Sequence, residues 1–252
     1  MTPFTIAVAG KGGTGKTTLS ALLIDALVRE GTTPVLAVDA DPNANLNEAL
    51  GVPVGESLGS MREEAFTRNI PPGMSRNEYI RLRFRKVLVE GKGFDLLVMG
   101  RPEGSGCYCF ANDLLSSCMR NLERDYRFVV IDTEAGLEHI SRGTIGFPDV
   151  LLIVSDPGAR GVRTVARIRE LALSLGLSST TMMTIYNRIL GDSSYQASGI
   201  PPPAAYIPED PSISEADLTG QPIVKIPPGS PAKIAVDSLA KLLIRRSGQS
   251  GE

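Results

Sequence analysis

A glycine-rich stretch near the start of the chain carries residues suited to phosphate chemistry. Residues 10–17 read GKGGTGKT and match the pattern G-x-x-x-x-G-K-[ST]. In such a loop the glycines let backbone N–H groups turn toward phosphate oxygens, and the following helix adds partial positive charge. Lys16 is expected to reach the β- and γ-phosphates of a nucleotide, and the Thr17 hydroxyl to bind Mg²⁺. The predicted nucleotide-binding residues of this segment are Gly10, Lys11, Gly12, Gly13, Thr14, Gly15, Lys16, Thr17 and Thr18.

Carboxylates follow two later apolar runs. Asp39 and Asp41 come after one run, and Asp132 comes after another. Open α/β sheets bind ligands at the carboxyl ends of their strands, where such side chains can hold Mg²⁺ or orient an attacking water. We therefore predict that Asp132 holds Mg²⁺ through water and that Gly136 lets a backbone amide approach the γ-phosphate. Asp and Pro also favour plain turns, so residues 38–42 (VDADP) would not point to catalysis without the phosphate loop.

A close cysteine pair is the other feature with chemical potential. Cys107 and Cys109 lie among glycines, whereas Cys118 falls on a predicted apolar helix face and is expected in the core. One C-x-C offers two thiolates, and a closed site for a soft metal takes about four. A two-fold dimer would bring two copies together; the alternative is two unrelated thiols in a loop. The lone histidine, His139, is expected to be structural.

Short apolar runs alternate with amphipathic helices along the chain. Near-continuous apolar runs are typical of parallel strands covered on both faces. Strands are predicted at Phe4–Ala9, Val35–Val38, Phe94–Met99, Phe128–Ile131, Val150–Val154, Met182–Tyr186, Ala204–Ile207 and Ile223–Ile226. Helices are predicted around Leu19–Leu27, Val165–Leu175 and Pro231–Arg246. This alternation predicts a single α/β domain over residues 1–252, with a doubly wound, mostly parallel sheet and helices on both faces.

Composition narrows the function classes. The chain has 252 residues and a net charge of −2, which argues against a general binder of nucleic acid or anionic membranes. No run of about 18 apolar residues occurs, and the start of the chain lacks the features of a secretory signal, so we expect a cytoplasmic protein. Residues 56–93 hold many Arg and Lys side chains with few apolar stripes. They are expected to form solvated helices at one edge, or a surface that docks a partner.

The second lysine of the loop, Lys11, makes the sequence resemble the deviant Walker A ATPases, which include MinD, ParA and the nitrogenase iron protein. The resemblance implies an ATP-dependent homodimer in which Lys11 contacts phosphate in the partner subunit. It further implies that Asp41 positions the attacking water and that Asp39 lies near the metal. Adenine would be read by Asn187 and flanked by Arg188 and Pro208. Glu134 departs from the family pattern, which usually has Gly or Pro there, and leaves the shape of the second switch open.

Across nearly the full length the chain resembles CooC-type proteins, the ATPases that help insert nickel into carbon monoxide dehydrogenase. The motifs that carry this resemblance are DADP at 39–42, GCYC at 106–109 and AGLEHISRGT at 135–144. It implies Ni²⁺ or Zn²⁺ bound by Cys107 and Cys109 at the interface of a homodimer that forms with ATP or metal. The client would be carbon monoxide dehydrogenase, and neither nucleic acid nor membrane would be a partner.

Two other functions stay open at this point. One is an iron–sulfur reductase like the nitrogenase iron protein, although Asp132–Leu137 lacks the cysteine that this relative carries after its second switch. The other is a positioning ATPase like MinD or ParA. MinD needs a membrane-binding tail, but the apolar stripe of the last predicted helix is expected to close the core instead.

Overall fold

The computed structural model describes residues 2–61, 70, 73–100, 125–134, 137, 146–191 and 201–249. Strands and helices alternate along these residues. The strands are β1 (Phe4–Gly10), β2 (Val35–Asp39), β3 (Val89–Glu90), β4 (Phe94–Val98), β5 (Phe128–Asp132), β6 (Val150–Ser155), β7 (Thr181–Ile189) and β8 (Ala205–Pro208). The helices are α1 (Lys16–Arg29), α2 (Leu46–Leu50), α3 (Arg76–Val87), α4 (Ala159–Ser174), α5 (Pro211–Thr219) and α6 (Pro231–Gln249).

The strands of the described residues form one sheet in the order β3-β4-β2-β5-β1-β6-β7-β8. Every neighbouring pair is parallel except β3 and β4. After β1 the chain builds one side of the sheet, and from β6 onward it builds the other. The carboxyl ends of the parallel strands therefore meet at one edge, and the change of direction falls beside β1.

Helices cover both faces of this sheet, because alternate residues of its strands point to opposite sides. Ile6 and Val8 of β1 belong to a buried cluster with residues of α1 and α6. Ala7 and Ala9 of the same strand belong to a second cluster with residues of α4, including Val165. The predicted doubly wound, mostly parallel α/β fold is thus confirmed.

One predicted strand is wrong. Residues Ile223–Lys225 form a 3-10 turn, not the strand expected over Ile223–Ile226. The amide of Ile226 donates to the carbonyl of Ile223, and both side chains are buried in the cluster on the α1 side. Apolar residues three apart share a side in a 3-10 turn, whereas a strand would alternate them between its faces.

The last helix runs past its predicted end and closes the core as expected. It continues to Gln249 rather than stopping at Arg246. Leu239 and Leu243 of its apolar stripe are fully buried in the cluster that contains α1. Within the described residues, no helix is long and apolar enough to cross a membrane.

The basic stretch over residues 56–93 is only partly described. Its helix α3 begins with a capping box, in which Ser75 and Glu78 bond each other's backbone amides. Arg83 on this helix pairs with Glu56 at 3.0 Å, so at least this guanidinium serves a contact within the chain. The antiparallel β3 then pairs with β4 at the edge of the sheet. A docking role for this stretch stays a prediction.

Candidate nucleotide-binding site

The glycine-rich loop joins β1 to α1 at the carboxyl edge of the sheet. Two of its glycines cannot be replaced without a clash. A Cβ on Gly10 would lie 2.3 Å from the carbonyl oxygen of Val154, which belongs to the neighbouring strand β6. Gly15 has φ of +91°, and a Cβ there would lie 2.3 Å from Nδ2 of Asn187. Glycine therefore lets the loop turn sharply between two close neighbours.

The loop holds its two lysines in different surroundings. Thr14 closes the turn, since its amide and its hydroxyl both donate to the carbonyl of Lys11, at 3.3 and 2.8 Å. Lys16, at the start of α1, is only 8% exposed. Lys11 is exposed, and within the described residues its side chain has no hydrogen-bond partner. Lys16 thus lies at the loop itself, while Lys11 is free to meet a group from outside the chain.

Asp132 at the end of β5 contacts the start of α1. Its Oδ2 accepts a hydrogen bond from the Thr17 hydroxyl at 2.6 Å, and its Oδ1 accepts one from the Ser20 hydroxyl at 3.2 Å. Thr17 and Asp132, each expected to serve Mg²⁺, are thus in direct contact. Ser20 was missed by the sequence reasoning, although a polar residue three positions after Thr17 on a helix shares its face.

Asp39 lies directly across from Asp132, because the two residues are register partners in β2 and β5. It is fully buried and accepts backbone hydrogen bonds from Asp41 at 3.1 Å and from Leu46 at 2.9 Å. Burial is the main cause that raises its pKa to about 7, and the charge of Asp132 adds to this. Burial likewise raises the pKa of Asp132 to about 6, against the opposing effects of Thr17 and Lys16.

Two buried carboxylates side by side repel each other when both are ionised, and a divalent cation between phosphates and protein would relieve that repulsion. The nearby oxygens belong to carboxylates and a hydroxyl, which are hard donors and suit Mg²⁺. Within the described residues no three or more His, Cys, Asp or Glu side chains form a metal-binding group by themselves. Mg²⁺ is typically held by one or two carboxylates, substrate phosphates and water.

Asp41 lies in the loop after β2 and is partly buried. Its Oδ1 accepts hydrogen bonds from the backbone amide and the side-chain amide of Asn43, at 2.8 and 3.0 Å. The turn thereby fixes the carboxylate close enough to the other two acidic groups to raise both of their pKa values. Asp41 thus stands at the same edge of the sheet as the phosphate loop.

The residues expected around the base lie near the carboxyl ends of β7 and β8. Asn187 on β7 is buried, and its Nδ2 donates to the carbonyl of Thr14 at 2.8 Å. Arg188 follows with a positive φ of 57° and is exposed, at a shift in the β7–β8 register. Pro208 ends β8, and Asp210 two residues later accepts from backbone amides at the starts of both α5 and α6. Of these residues, Asn187 contacts the phosphate loop directly.

Three predicted site residues lie outside the described residues. These are Gly136, Cys107 and Cys109. The same holds for Cys118 and His139.

A strand, a glycine-rich loop with a buried lysine, and a helix whose first threonine meets an aspartate from a neighbouring strand define the P-loop nucleoside triphosphatases. Residues 5–223 match the family model described as CbiA, the CobQ/CobB/MinD/ParA nucleotide binding domain, and the chain belongs to this family. It is an ATP-binding ATPase of the MinD/ParA type.

Three relatives illustrate the family. An uncharacterized ATP-binding protein of Methanocaldococcus jannaschii is 42% identical over 251 residues, which cover 96% of this chain and 98% of the relative. The carbon monoxide dehydrogenase accessory protein CooC of Rhodospirillum rubrum is 38% identical over 197 residues, covering 73% of this chain and 74% of CooC. The septum site-determining protein MinD of Pyrococcus horikoshii OT3, solved with Mg-ADP, has a TM-score of 0.70 at 26% identity, with 98% of each chain covered.

Proposed function

We propose that this ATPase is a homodimeric maturation factor that helps insert nickel into carbon monoxide dehydrogenase. The observation that carries the proposal is the similarity to CooC of Rhodospirillum rubrum, an accessory protein of that enzyme. The C-x-C pair at Cys107 and Cys109 supports it, because two thiolates from each of two subunits would make a four-thiolate site. A single ATPase domain over residues 1–252 and a cytoplasmic location are parts of this proposal.

In the proposed reaction the loop binds the triphosphate through its backbone amides. Lys16 places its charge on the β- and γ-phosphates, where little water competes because the side chain is buried. Thr17 and Asp132 would hold Mg²⁺, with Asp39 nearby, and the ion when bound neutralises charge on the phosphate oxygens. Asp41 orients the attacking water, since its carboxylate is held in a turn at the same edge.

On the base side, Asn187 is proposed to read adenine, with Arg188 and Pro208 beside the base. Lys11 is proposed to contact phosphate in the partner subunit, and its exposure leaves it free to do so. Gly136 is proposed to bring a backbone amide to the γ-phosphate.

The metal is the cargo in this proposal. ATP and metal would both favour the closed dimer, so each must tighten the binding of the other by the same factor. A coupling of about 1–3 kcal/mol corresponds to about 5–150-fold in affinity. Hydrolysis would open the dimer, break the four-thiolate site and release Ni²⁺ or Zn²⁺ to the client.

The test is metal analysis of the purified protein with and without ATP, with its mass in solution measured in parallel. The proposal expects one soft divalent ion per dimer, and weaker binding at acidic pH because thiolates must be deprotonated. The double change Cys107→Ser with Cys109→Ser should lose the metal and keep intrinsic ATP hydrolysis, whereas Cys118→Ser should keep both. Unchanged metal affinity in the double variant would reject the site. A brown protein with iron and sulfide would favour an iron–sulfur reductase instead.

A further inference from the structure

Asn187 makes a contact that reading a base would not require. Its side-chain amide donates to the carbonyl of Thr14 at 2.8 Å, across 173 residues of sequence. A carbonyl oxygen can only accept, so this partner fixes the side chain with Nδ2 toward the loop. The contact lies in the buried part of the site, and Asn187 itself is 8% exposed. The far strand β7 is thus tied directly to the phosphate loop.

Two further features lie beside this contact. Gly15, the next residue of the loop, leaves room for the amide, since a Cβ there would lie 2.3 Å from Nδ2. On the other side, Arg188 takes a positive φ of 57° where the β7–β8 register shifts. The amide therefore packs against the backbone of Gly15 and bonds the peptide that precedes it.

We infer that Asn187 is a positioning residue for the phosphate loop, apart from any contact it makes with a base. The hydrogen bond fixes the Thr14–Gly15 peptide, and so the direction of the amides that follow in the loop. A loop held in its binding conformation before the ligand arrives loses less conformational freedom on binding. One amide hydrogen is used in this way, and the second hydrogen and Oδ1 remain for other partners. The inference rests on the phosphate-binding role proposed for the loop.

A ligand without a base separates this role from base recognition. Inorganic tripolyphosphate offers the loop a chain of phosphates and offers Asn187 no base to read. Binding is measured by calorimetry on the full chain, with ATP as the second ligand. For Asn187→Ala we expect tripolyphosphate affinity to fall roughly 3- to 10-fold, the range of one net hydrogen bond. Asn187→Leu, which keeps a side chain of similar size without charge and cannot donate to the Thr14 carbonyl, should fall by a similar amount.

Two variants calibrate the result. Thr184→Val lies on the same strand, and the Thr184 hydroxyl is buried without a hydrogen-bond partner among the described residues, so tripolyphosphate affinity should not change. Lys16→Ala should lose most of that affinity. If Lys16→Ala binds tripolyphosphate normally, the phosphate role of the loop fails. If Lys16→Ala loses it while both folded Asn187 variants bind tripolyphosphate normally and only ATP weakly, Asn187 reads the base alone and the inference is overturned.

Discussion

The residue-scale chemistry of the site centres on Asp39 and Asp132, two carboxylates buried side by side at the ends of β2 and β5. Both are held by hydrogen bonds in a place that water scarcely reaches, and their pKa values rise to about 7 and about 6. A cation bound beside these two carboxylates would stabilise their ionised forms. The repulsion between the two carboxylates is therefore greatest when both are ionised and no cation is bound.

This arrangement predicts how the stability of the ligand-free protein depends on pH. Asp39 has a pKa of about 7 in the folded chain, raised by burial from its ordinary value of 3.8, so the folded state binds more protons than the unfolded state between these two pH values. The free energy of unfolding should then fall as pH rises from about 4 to about 7, by up to about 1.4 kcal/mol per pH unit. Denaturant unfolding at about pH 4.5, 6 and 7.5 measures the slope.

The matched variant for this slope is Asp39→Asn, which removes the titrating group. At about pH 4.5, where Asp39 is protonated in the folded chain, the variant should be less stable, because one of the two backbone amides bonded by Asp39 loses its acceptor. Its stability should nevertheless change less with pH. A slope of the same size in this variant would show that other groups cause it.

A second residue-scale prediction concerns Asp41. Asp41→Asn keeps an acceptor oxygen for the amides of Asn43, so the turn should survive. A neutral amide orients a water poorly as a nucleophile, and we expect kcat for ATP hydrolysis to fall by about 100-fold or more. The dissociation constant for ATP should change little, because the phosphate contacts remain. Single-turnover hydrolysis and equilibrium binding measure the two quantities.

The control for Asp41 is Asn43→Ala, which weakens the turn and leaves the carboxylate. Its kcat should stay within a few-fold of the unchanged protein, since the backbone amide of residue 43 can still donate to Asp41. Equal losses in the two variants would assign the effect to the turn and not to the carboxylate.

At the scale of elements, ion pairs connect α1 and α6, and these pairs differ in how deeply they are buried. Lys233 on α6 is 5% exposed and donates to the Val224 carbonyl at 2.9 Å and to Asp25 on α1 at 3.1 Å. Lys241, further along α6, forms an ion pair with Glu30 at 3.5 Å, and 56% of the Lys241 side chain is exposed. We therefore expect the buried contacts of Lys233 to stabilise the fold more than the solvent-exposed pair of Lys241 and Glu30.

Removing each lysine in turn tests this difference. Lys233→Ala leaves a carbonyl and a carboxylate short of a donor, and we expect the free energy of unfolding to fall by about 1–3 kcal/mol. Lys241→Ala should stay within about 0.5 kcal/mol of the unchanged protein. Denaturant unfolding measures both, and similar losses would mean that burial does not decide the strength of these pairs.

The strands could be predicted because buried parallel strands leave a simple signal. Runs such as residues 150–154 (VLLIV) are apolar throughout, as covering on both faces requires. The same signal misled at Ile223–Ile226, where the apolar residues serve a single face of a 3-10 turn between Pro222 and Pro227. Short apolar runs do not distinguish these two cases by composition alone.

Sequence motifs were sufficient to predict part of the candidate site. The loop motif and the carboxylates at strand ends placed Lys16, Thr17 and Asp132 at one edge, and the structure brings Thr17 and Asp132 into contact. The bond from Asn187 to the Thr14 carbonyl was not foreseen, because it depends on how closely β7 passes behind the loop. Such a contact is set by strand order and register, which no local pattern encodes.

At the scale of the whole molecule, the two lysines of the loop should affect different properties. Lys16 is buried where the phosphate loop enters α1, and Lys11 is exposed within the same loop. If Lys11 acts on phosphate in a second subunit, it matters for the ATP-bound dimer and not for binding ATP to one chain. If it is merely a surface lysine near an anionic site, its removal should weaken ATP binding slightly and leave assembly as it was.

The Asp41→Asn background makes this contrast measurable, because ATP then persists long enough for assembly to reach equilibrium. In that background we expect ATP to convert the protein to a dimer, as measured by analytical ultracentrifugation. Adding Lys11→Ala should leave the ATP dissociation constant within a few-fold and prevent the dimer. Lys92→Ala removes an exposed lysine beside the amino end of β4, at the opposite edge of the sheet, and should dimerise normally. A dimer of full strength in the Lys11→Ala variant would contradict a contact of Lys11 across the interface, while loss of the dimer in both lysine variants would point to net charge.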